Sequence, residues 1–581
     1  MKARKGVRFQ TELGTTPSTA LEKIRAELAR NYLHTTDLRL KQIARAASLP
    51  CVVGLLRAEL PRSPQETIRE QLKCNFMSTS IEHPTMGSLR PRRGALRAAI
   101  ALAAASLFGC ARAGKEVARP NLLLILADDW SWQGAEAVDR LDLHMPTFDR
   151  IRKEGIEFTN AFVASPSCTA SRGAILSGRW PWRLEEGANL ASILPMHFPL
   201  YPDTLESAGY HVGYCRKGWG PGQLAPAGRR RNPAGNSYDD FATFLSADTE
   251  RKPFCFWFGT HDPHRPYVSG AGVRSGIRLE DITVPPYLPD SEAVRSDIAD
   301  YRFELERLDR EAADLLALLV KRGELDNTLV VMTGDNGWPF PRGKATLYDA
   351  GMHVPLAMMW PAGLSKPGRT SDAMVSLIDL NATFLEAAGV PADTSSNASS
   401  LIAQLRGSIA SQRQYVIGGL ERHMDGRTLP GQGYPCRAIR TAHHLLIRNF
   451  HPERWPAGDP NRREVTKAQI EQDIFAAFAD IDNGPAKAYL VANRSEAAVR
   501  PLYDLAVGKR PAIELYDVQT DPYCMTNLAA DPIQRATVER LDATLMRELL
   551  RTGDPRAIGN GDVFDRYPSY SDPGYGRPVN F

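Results

Sequence analysis

The sequence predicts an α/β protein: a mostly parallel central sheet covered by helices on both faces, followed by a smaller C-terminal α+β subdomain. Three observations carry this. Uniformly apolar runs of strand length occupy 121–127, 254–258 and 329–333, as a parallel strand buried on both faces requires. Helical segments alternate with such runs through about residue 400. From about 411 the pattern changes to short strands at 415–420, 445–449 and 514–517, then to a helix marked by Ile533, Val538, Leu541, Leu545 and Leu549. Pro532 stands near that helix's start and Gly553 past its end. The chain is accordingly divided into 1–85, 86–118, a main α/β domain at 119–410 and a C-terminal subdomain at 411–581.

Length and composition set modest bounds. A chain of 581 residues with 43% hydrophobic residues exceeds one usual domain and is ample for a packed core. Its net charge of +4 names no partner, and the basic triplet Arg229-Arg230-Arg231 reads as a solvated loop. The eight cysteines show no paired metal or disulfide spacing.

The first two segments stand apart from the rest. Residues 9–70 contain Leu13-Gly14-Thr15-Thr16-Pro17, residues 38–44 and Arg62-Ser63-Pro64, phrases that resemble a degraded AraC-type pair of helix-turn-helix motifs. Ser48 replaces the turn glycine, and Leu55-Leu56 stand where aromatics belong. Residues 1–85 are therefore read as a mis-set start or a fusion remnant, and nucleic acid is not an expected partner. Next, Arg90-Pro91-Arg92-Arg93, the apolar run 98–108 and Leu107-Phe108-Gly109-Cys110 read as a lipoprotein signal, with Met86 at its natural start. The apolar run is too short to cross a membrane as a mature helix. The expectation is export to the periplasm, or anchoring at the membrane through a lipid on Cys110.

Chemistry-bearing residues cluster at strand ends. Asp128-Asp129 follow the first apolar run directly, and Asp335-Asn336 follow the run at 329–333. Adjacent carboxylates repel unless a cation lies between them, and oxygen-only donors select calcium or magnesium; either pair alone also fits an ordinary turn. His261 and His264 follow the run at 254–258, the kind of junction where open α/β sheets bind ligands. Zinc is disfavoured there, since Pro263 and Pro266 forbid a helix aligning the two histidines and no further N/S ligand is near. In Cys168-Thr169-Ala170-Ser171-Arg172 a small residue stands two positions after a cysteine and an arginine four after it. Cys168 by itself fits a small buried hydrophobe. A helix expected over 171–176 would add backbone N–H groups favourable to an anion.

The pentapeptide, set between residues 158–162 and Ser177-Gly178-Arg179, resembles the signature of the type I sulfatases, with Ala170 where the commoner form has proline. The resemblance covers Pro120 to about Asn527 and implies an alkaline-phosphatase-like fold. It implies that Cys168 is oxidised to formylglycine, one hydroxyl of whose hydrate attacks sulfur while the other later expels sulfate. It also implies calcium on Asp128, Asp129, Asp335 and Asn336, with residue 168 completing the shell. His264 takes the part of general acid, while His261, a lone histidine beside a strand, reads as structural. Lys217 and Lys344 contact sulfate or leaving group, although the histidine usual after the former is absent, with Trp219 nearby instead. Arg172 anchors the aldehyde-bearing turn. Maturation calls for a formylglycine-generating or anaerobic sulfatase-maturating enzyme.

The substrate reading uses His261 to Pro266, Asp335 to Pro341 and residues 434–449, which look most like the heparan N-sulfatase branch, with Arg422, His423 and Arg437 placed to meet a sugar ring. The expected activity is removal of sulfate from a sulfated carbohydrate, N-sulfoglucosamine above all. An O-sulfatase on another glycan or aryl sulfate, a phosphonate or phosphate monoester hydrolase of the same superfamily, and a glycan binder with unmodified Cys168 remain open.

Overall fold

The structure, a computed structural model, describes residues 119–132, 143–408, 413–460 and 465–570. The readings on 1–118, including the helix-turn-helix resemblance, the leader and Cys110, lie outside the described residues.

Eight strands make the large sheet: β1 (Asn121–Ala127), β2 (Ile156–Phe162), β3 (His211–Arg216), β4 (Asn236–Ser237), β5 (Phe254–Gly259), β6 (Thr328–Gly334), β7 (Leu356–Met359) and β8 (Arg369–Ser376), in the order β4-β3-β5-β1-β6-β7-β2-β8. Pairing is parallel except at β7, which runs antiparallel to both β6 and β2. Every residue of β1, β5 and β6 is buried, which explains why no alternation is visible in their sequences. Each buried leucine of β1 contributes about 1.5–3 kcal/mol relative to exposure, so a charge at Leu124 would break the centre of the sheet.

Odd and even positions of β1 feed two cores. Leu122, Leu124 and Leu126 join one cluster; Leu123, Ile125 and Ala127 join the other. The second is covered by α2 (Glu292–Arg322), which buries Val294, Ile298, Leu305, Leu308, Leu315 and Leu319. Its N-cap Ser291 accepts from the Val294 N–H, and Gly323 closes it with φ 67°, the left-handed conformation that glycine adopts without cost. The shorter α1 (Cys168–Ser177) is buried over its whole length.

A second, antiparallel sheet consists of β9 (Tyr415–Leu420), β10 (Cys436–Thr441), β11 (His444–Asn449) and β12 (Ile513–Asp517), in the order β12-β11-β10-β9. Between β11 and β12 lies α3 (Pro485–Ala492), and after β12 comes α4 (Arg535–Arg551), which buries Leu541, Leu545 and Leu549. Ile533, expected on the packed face of α4, is 85% exposed. The helix proper begins only at Arg535, after a 3₁₀ turn at Pro532–Gln534 whose different pitch turns Ile533 outward.

Parallel pairing positions the site. In register, Ala127 of β1 stands opposite Gly334 of β6, and Leu126 opposite Gly259 of β5. The residues leaving the three strands, Asp128, Asp335 and the loop from Thr260, thus emerge side by side, and two main-chain bonds tie them: Asp335 N–H to Ala127 O and Thr260 N–H to Leu126 O.

Candidate active site

Cys168 is the first residue of α1, three positions earlier than the helix expected over 171–176. Its N-cap Ser167 is extended, and the helix proceeds without a side-chain cap because the Ser167 hydroxyl is paired with His423 Nδ1 at 2.9 Å. The Cys168 side chain is fully enclosed: Sγ lies 3.5 Å from Asp128 Oδ1 and 3.7 Å from Asn336 Nδ2. Burial pushes its thiol well above the ordinary range, so the unmodified side chain is a neutral thiol rather than the thiolate a cysteine nucleophile needs.

Around it the predicted residues converge. Arg172, one turn along α1, donates Nε to Asp335 Oδ2 at 2.6 Å and Nη1 to the carbonyls of Lys217 and Gly218 at 2.9 Å each. Its role in the fold is to tie α1 to the end of β6 and to the loop after β3. Lys217 Nζ reaches Asp128 Oδ2 at 2.5 Å; Lys344 Nζ reaches Asp129 Oδ2 at 2.8 Å. Burial by itself would raise Asp128, but the Lys217 ammonium, with His264 and Arg172, carries it well below the carboxylate range. Asp129 is displaced upward by burial and by the neighbouring Asp128 charge, against the pull of Lys344.

One ligand atom each from Asp128, Cys168 and Asp335 lies within 4.8 Å of the others. Asp129 Oδ1 and Asn336 Oδ1 are buried without a hydrogen-bond partner. An unpaired buried oxygen costs about 1–3 kcal/mol, and a hard cation would satisfy both. The all-oxygen donor set of Asp128, Asp129, Asp335 and Asn336 fits calcium or magnesium and does not suit a soft metal.

His264 stands across the pocket with Nε2 4.0 Å from Asp129 Oδ2. Its Nδ1 lies 2.5 Å from Arg265 O; since a carbonyl only accepts, Nδ1 carries the hydrogen and Nε2 is the nitrogen presented to the pocket. Burial, reinforced by the Lys344 ammonium, pushes His264 down to about 4. His261 is exposed, bordering the same loop.

The three residues expected to meet a sugar ring separate. His423 is brought to the site through Ser167, and burial pushes it down to about 4. Arg422 and Arg437 are corrections. Arg422 is buried and directs its guanidinium to the carbonyls of Tyr567 and Pro568. Arg437, 1% exposed, holds Asp554 at 2.7 Å and Glu421 at 2.7 Å. Both arginines are consumed by the fold. Likewise Arg231 of the basic triplet pairs with Asp203 and Glu206.

One residue was missed. Asp482 Oδ2 lies 3.1 Å from Lys344 Nζ, and ligand atoms of Asp482, Asp129 and His264 fall within 4.8 Å of one another. Its sequence signal is slight: two acids, Asp480 and Asp482, interrupting a small apolar stretch just before Gly484-Pro485.

This pocket of oxygen ligands, paired cations and an enclosed helix-start residue on an alkaline-phosphatase-like sheet has its match among known proteins. A sulfatase model matches residues 120–227 and 231–390, and the chain belongs to the sulfatase family, hydrolases of sulfate esters and sulfamates. Within it, a model of the N-sulphoglucosamine sulphohydrolase C-terminal region matches residues 334–456. The human N-sulphoglucosamine sulphohydrolase is 27% identical over 491 residues, covering 75% of this chain and 91% of the relative. An ulvan-active sulfatase of Formosa agariphila is 26% identical over 452 residues, covering 75% and 81%. In fold, the chain is similar to a protein solved in complex with its substrate D-glucosamine-2-N,6-O-disulfate, with TM-score 0.53, 19% identity, and 75% of this chain and 98% of that one covered.

Proposed function

We propose that the chain removes the sulfo group from N-sulfated glucosamine in heparan-type glycans. The observation that carries this is the placement of Cys168 at the head of α1, between the carboxylates of Asp128 and Asp335 and the ammonium groups of Lys217 and Lys344. The match of 334–456 to the N-sulphoglucosamine sulphohydrolase C-terminal model supports the substrate. Formylglycine at residue 168 supplies an oxygen nucleophile where the buried thiol supplies none. Asp128, Asp129, Asp335 and Asn336 would hold a calcium ion, which would supply Lewis-acid chemistry to the sulfate group.

The remaining work falls to the chain's own side chains. Lys217 and Lys344 offset the sulfate charge in a pocket where water is scarce, so each counts for more than it would on a surface. Arg172 fixes residue 168 against β6. His264 Nε2 faces the pocket and delivers a proton to the departing nitrogen, which is a poor leaving group until protonated. Burial, with the Lys344 ammonium adding to it, keeps the histidine neutral in the free pocket, with its hydrogen on Nδ1. An arriving sulfate anion favours the protonated ring, so Nε2 takes up from solvent water, as the substrate binds, the proton it then delivers. The leader pattern supports export, with anchoring through a lipid on Cys110, after maturation by a formylglycine-generating or anaerobic sulfatase-maturating enzyme.

The test combines peptide mass analysis around residue 168 with turnover of N-sulfoglucosamine, 6-O-sulfated glucosamine, an aryl sulfate and an aryl phosphate. N-sulfoglucosamine is expected to be the best sugar substrate, and His264→Ala to slow it far more than an activated aryl sulfate, whose phenolate leaves unaided. Turnover of 6-O-sulfated glucosamine with none of the N-sulfated sugar would overturn the substrate assignment.

A further inference from the structure

We infer that Asp482 is a specificity residue that accepts a hydrogen bond from the amino-sugar leaving group, an inference resting on the sulfatase reading above. A carboxylate is costly in a pocket built for sulfate. It repels the anion, and at 3.1 Å it draws off part of the Lys344 charge that would bind it. Discrimination is what such a group offers: it favours a substrate that brings a donor to that place and disfavours one that brings none.

Its position fits a contact with the leaving group rather than with sulfate. Side-chain exposure in the pocket falls from His264 at 24% and Lys217 at 14% to Asp482 at 8% and Lys344 at 4%, with Asp129 closed off. The mouth therefore lies on the side of His264, the most exposed of these side chains, and Asp482, whose carboxylate falls within 4.8 Å of the His264 ring nitrogen, stands beside the path by which the non-reacting part of the substrate leaves. The segment carrying Asp482 is held from several sides. Asp480 accepts from Met424 N–H and Arg427; Lys487 Nζ donates to Ile474 O and Ile481 O; Ala486 N–H donates to Asp297. Arg265 packs so closely over Gly484 that a Cβ there would collide with its guanidinium. A carboxylate fixed this firmly has lost the freedom to turn away, as recognition of a defined donor demands. The segment also lies outside the residues matched by either family model.

The experiment measures kcat and KM of Asp482→Asn and Asp482→Ser on N-sulfoglucosamine and on an aryl sulfate, which has no hydroxyl or amine beside its sulfate, together with inhibition by inorganic sulfate. The expected result is a loss in kcat/KM on the sugar exceeding that on the aryl sulfate by on the order of 10- to 100-fold, with sulfate inhibiting both variants at lower concentration than the parent. Equal losses on both substrates, or a loss on neither, overturn the inference and leave Asp482 as a partner of Lys344 only. A thermal melt separates misfolding from either outcome. Should the parent enzyme reject N-sulfoglucosamine, the substrate proposal fails on its own, and the same comparison is read on whichever sulfated sugar it does turn over.

Discussion

Arg437 gives the sharpest separation between a sugar contact and a structural ion cluster, and Arg437→Met is the perturbation that exposes it. The guanidinium donates to both oxygens of Asp554, at 2.7 and 3.1 Å, to Glu421 at 2.7 Å and to the carbonyls of Leu420 and Cys436. Removing it leaves Asp554, whose side chain is wholly buried, with only the main-chain N–H of Arg556, whereas Glu421 retains the Arg556 guanidinium. One buried carboxylate is thus stranded, which costs about 3–5 kcal/mol. The same Met paired with Asp554→Leu removes the stranded charge and should recover most of that loss. Denaturant titration monitored by circular dichroism measures both effects, and kinetics on the surviving folded fraction measures KM for the sugar. An Arg437→Met protein as stable as the parent, with KM for the sugar raised tenfold or more, would refute the structural role and restore Arg437 to the substrate site.

Further outcomes follow from the same geometry. Cys168→Ala should abolish sulfatase turnover while the thermal melt is retained, and Cys168→Ser should be equally inactive unless the host oxidises serine; appreciable turnover by the alanine variant would remove residue 168 from the chemistry. Asp335→Ala should weaken calcium binding in titration calorimetry and lower the rate, since it removes one of the oxygen ligands and the carboxylate that receives the Arg172 Nε; activity unaffected by exhaustive chelation would exclude the metal. Burial pushes the Lys487 ammonium down to about 7, from 10.5 in the unfolded chain. The unfolded state therefore binds the proton more tightly, and stability should rise between about pH 7 and 10.5 by about 1.4 kcal/mol per unit. Lys487→Met should flatten that rise relative to the parent in denaturant titrations across the window, and identical profiles would contradict it.

The strands of the large sheet were legible because burial on both faces leaves nothing polar in β1, β5 or β6, and the acids that terminate them mark where the chain meets the pocket. Cys168 and Arg172 were legible as one phrase, four residues apart, on a single turn of helix. Nothing comparable announced Asp482. It reaches Lys344 across 138 residues of chain, through anchors at Arg427 and Arg265 that exist only in the fold. The misplacement of Arg422 and Arg437 has the same origin: a buried arginine and a surface one look alike in sequence, and the partners that decide the matter, such as Asp554, lie far along the chain. The start of α1 was set too late because a helix that begins on a cysteine with an occupied N-cap hydroxyl lacks the usual capping signature.

The complete enclosure of Cys168 sets a deadline for its maturation. No second enzyme can grasp a side chain that is 0% exposed, so the oxidation proposed for it must be finished while the polypeptide is still open. At about 5–20 residues per second, tens of seconds separate synthesis of that cysteine from synthesis of the Asp482 segment. Conditions that hasten collapse of the nascent chain, or starve the oxidising enzyme, would then yield correctly folded but permanently inert molecules that no later treatment could rescue without unfolding them.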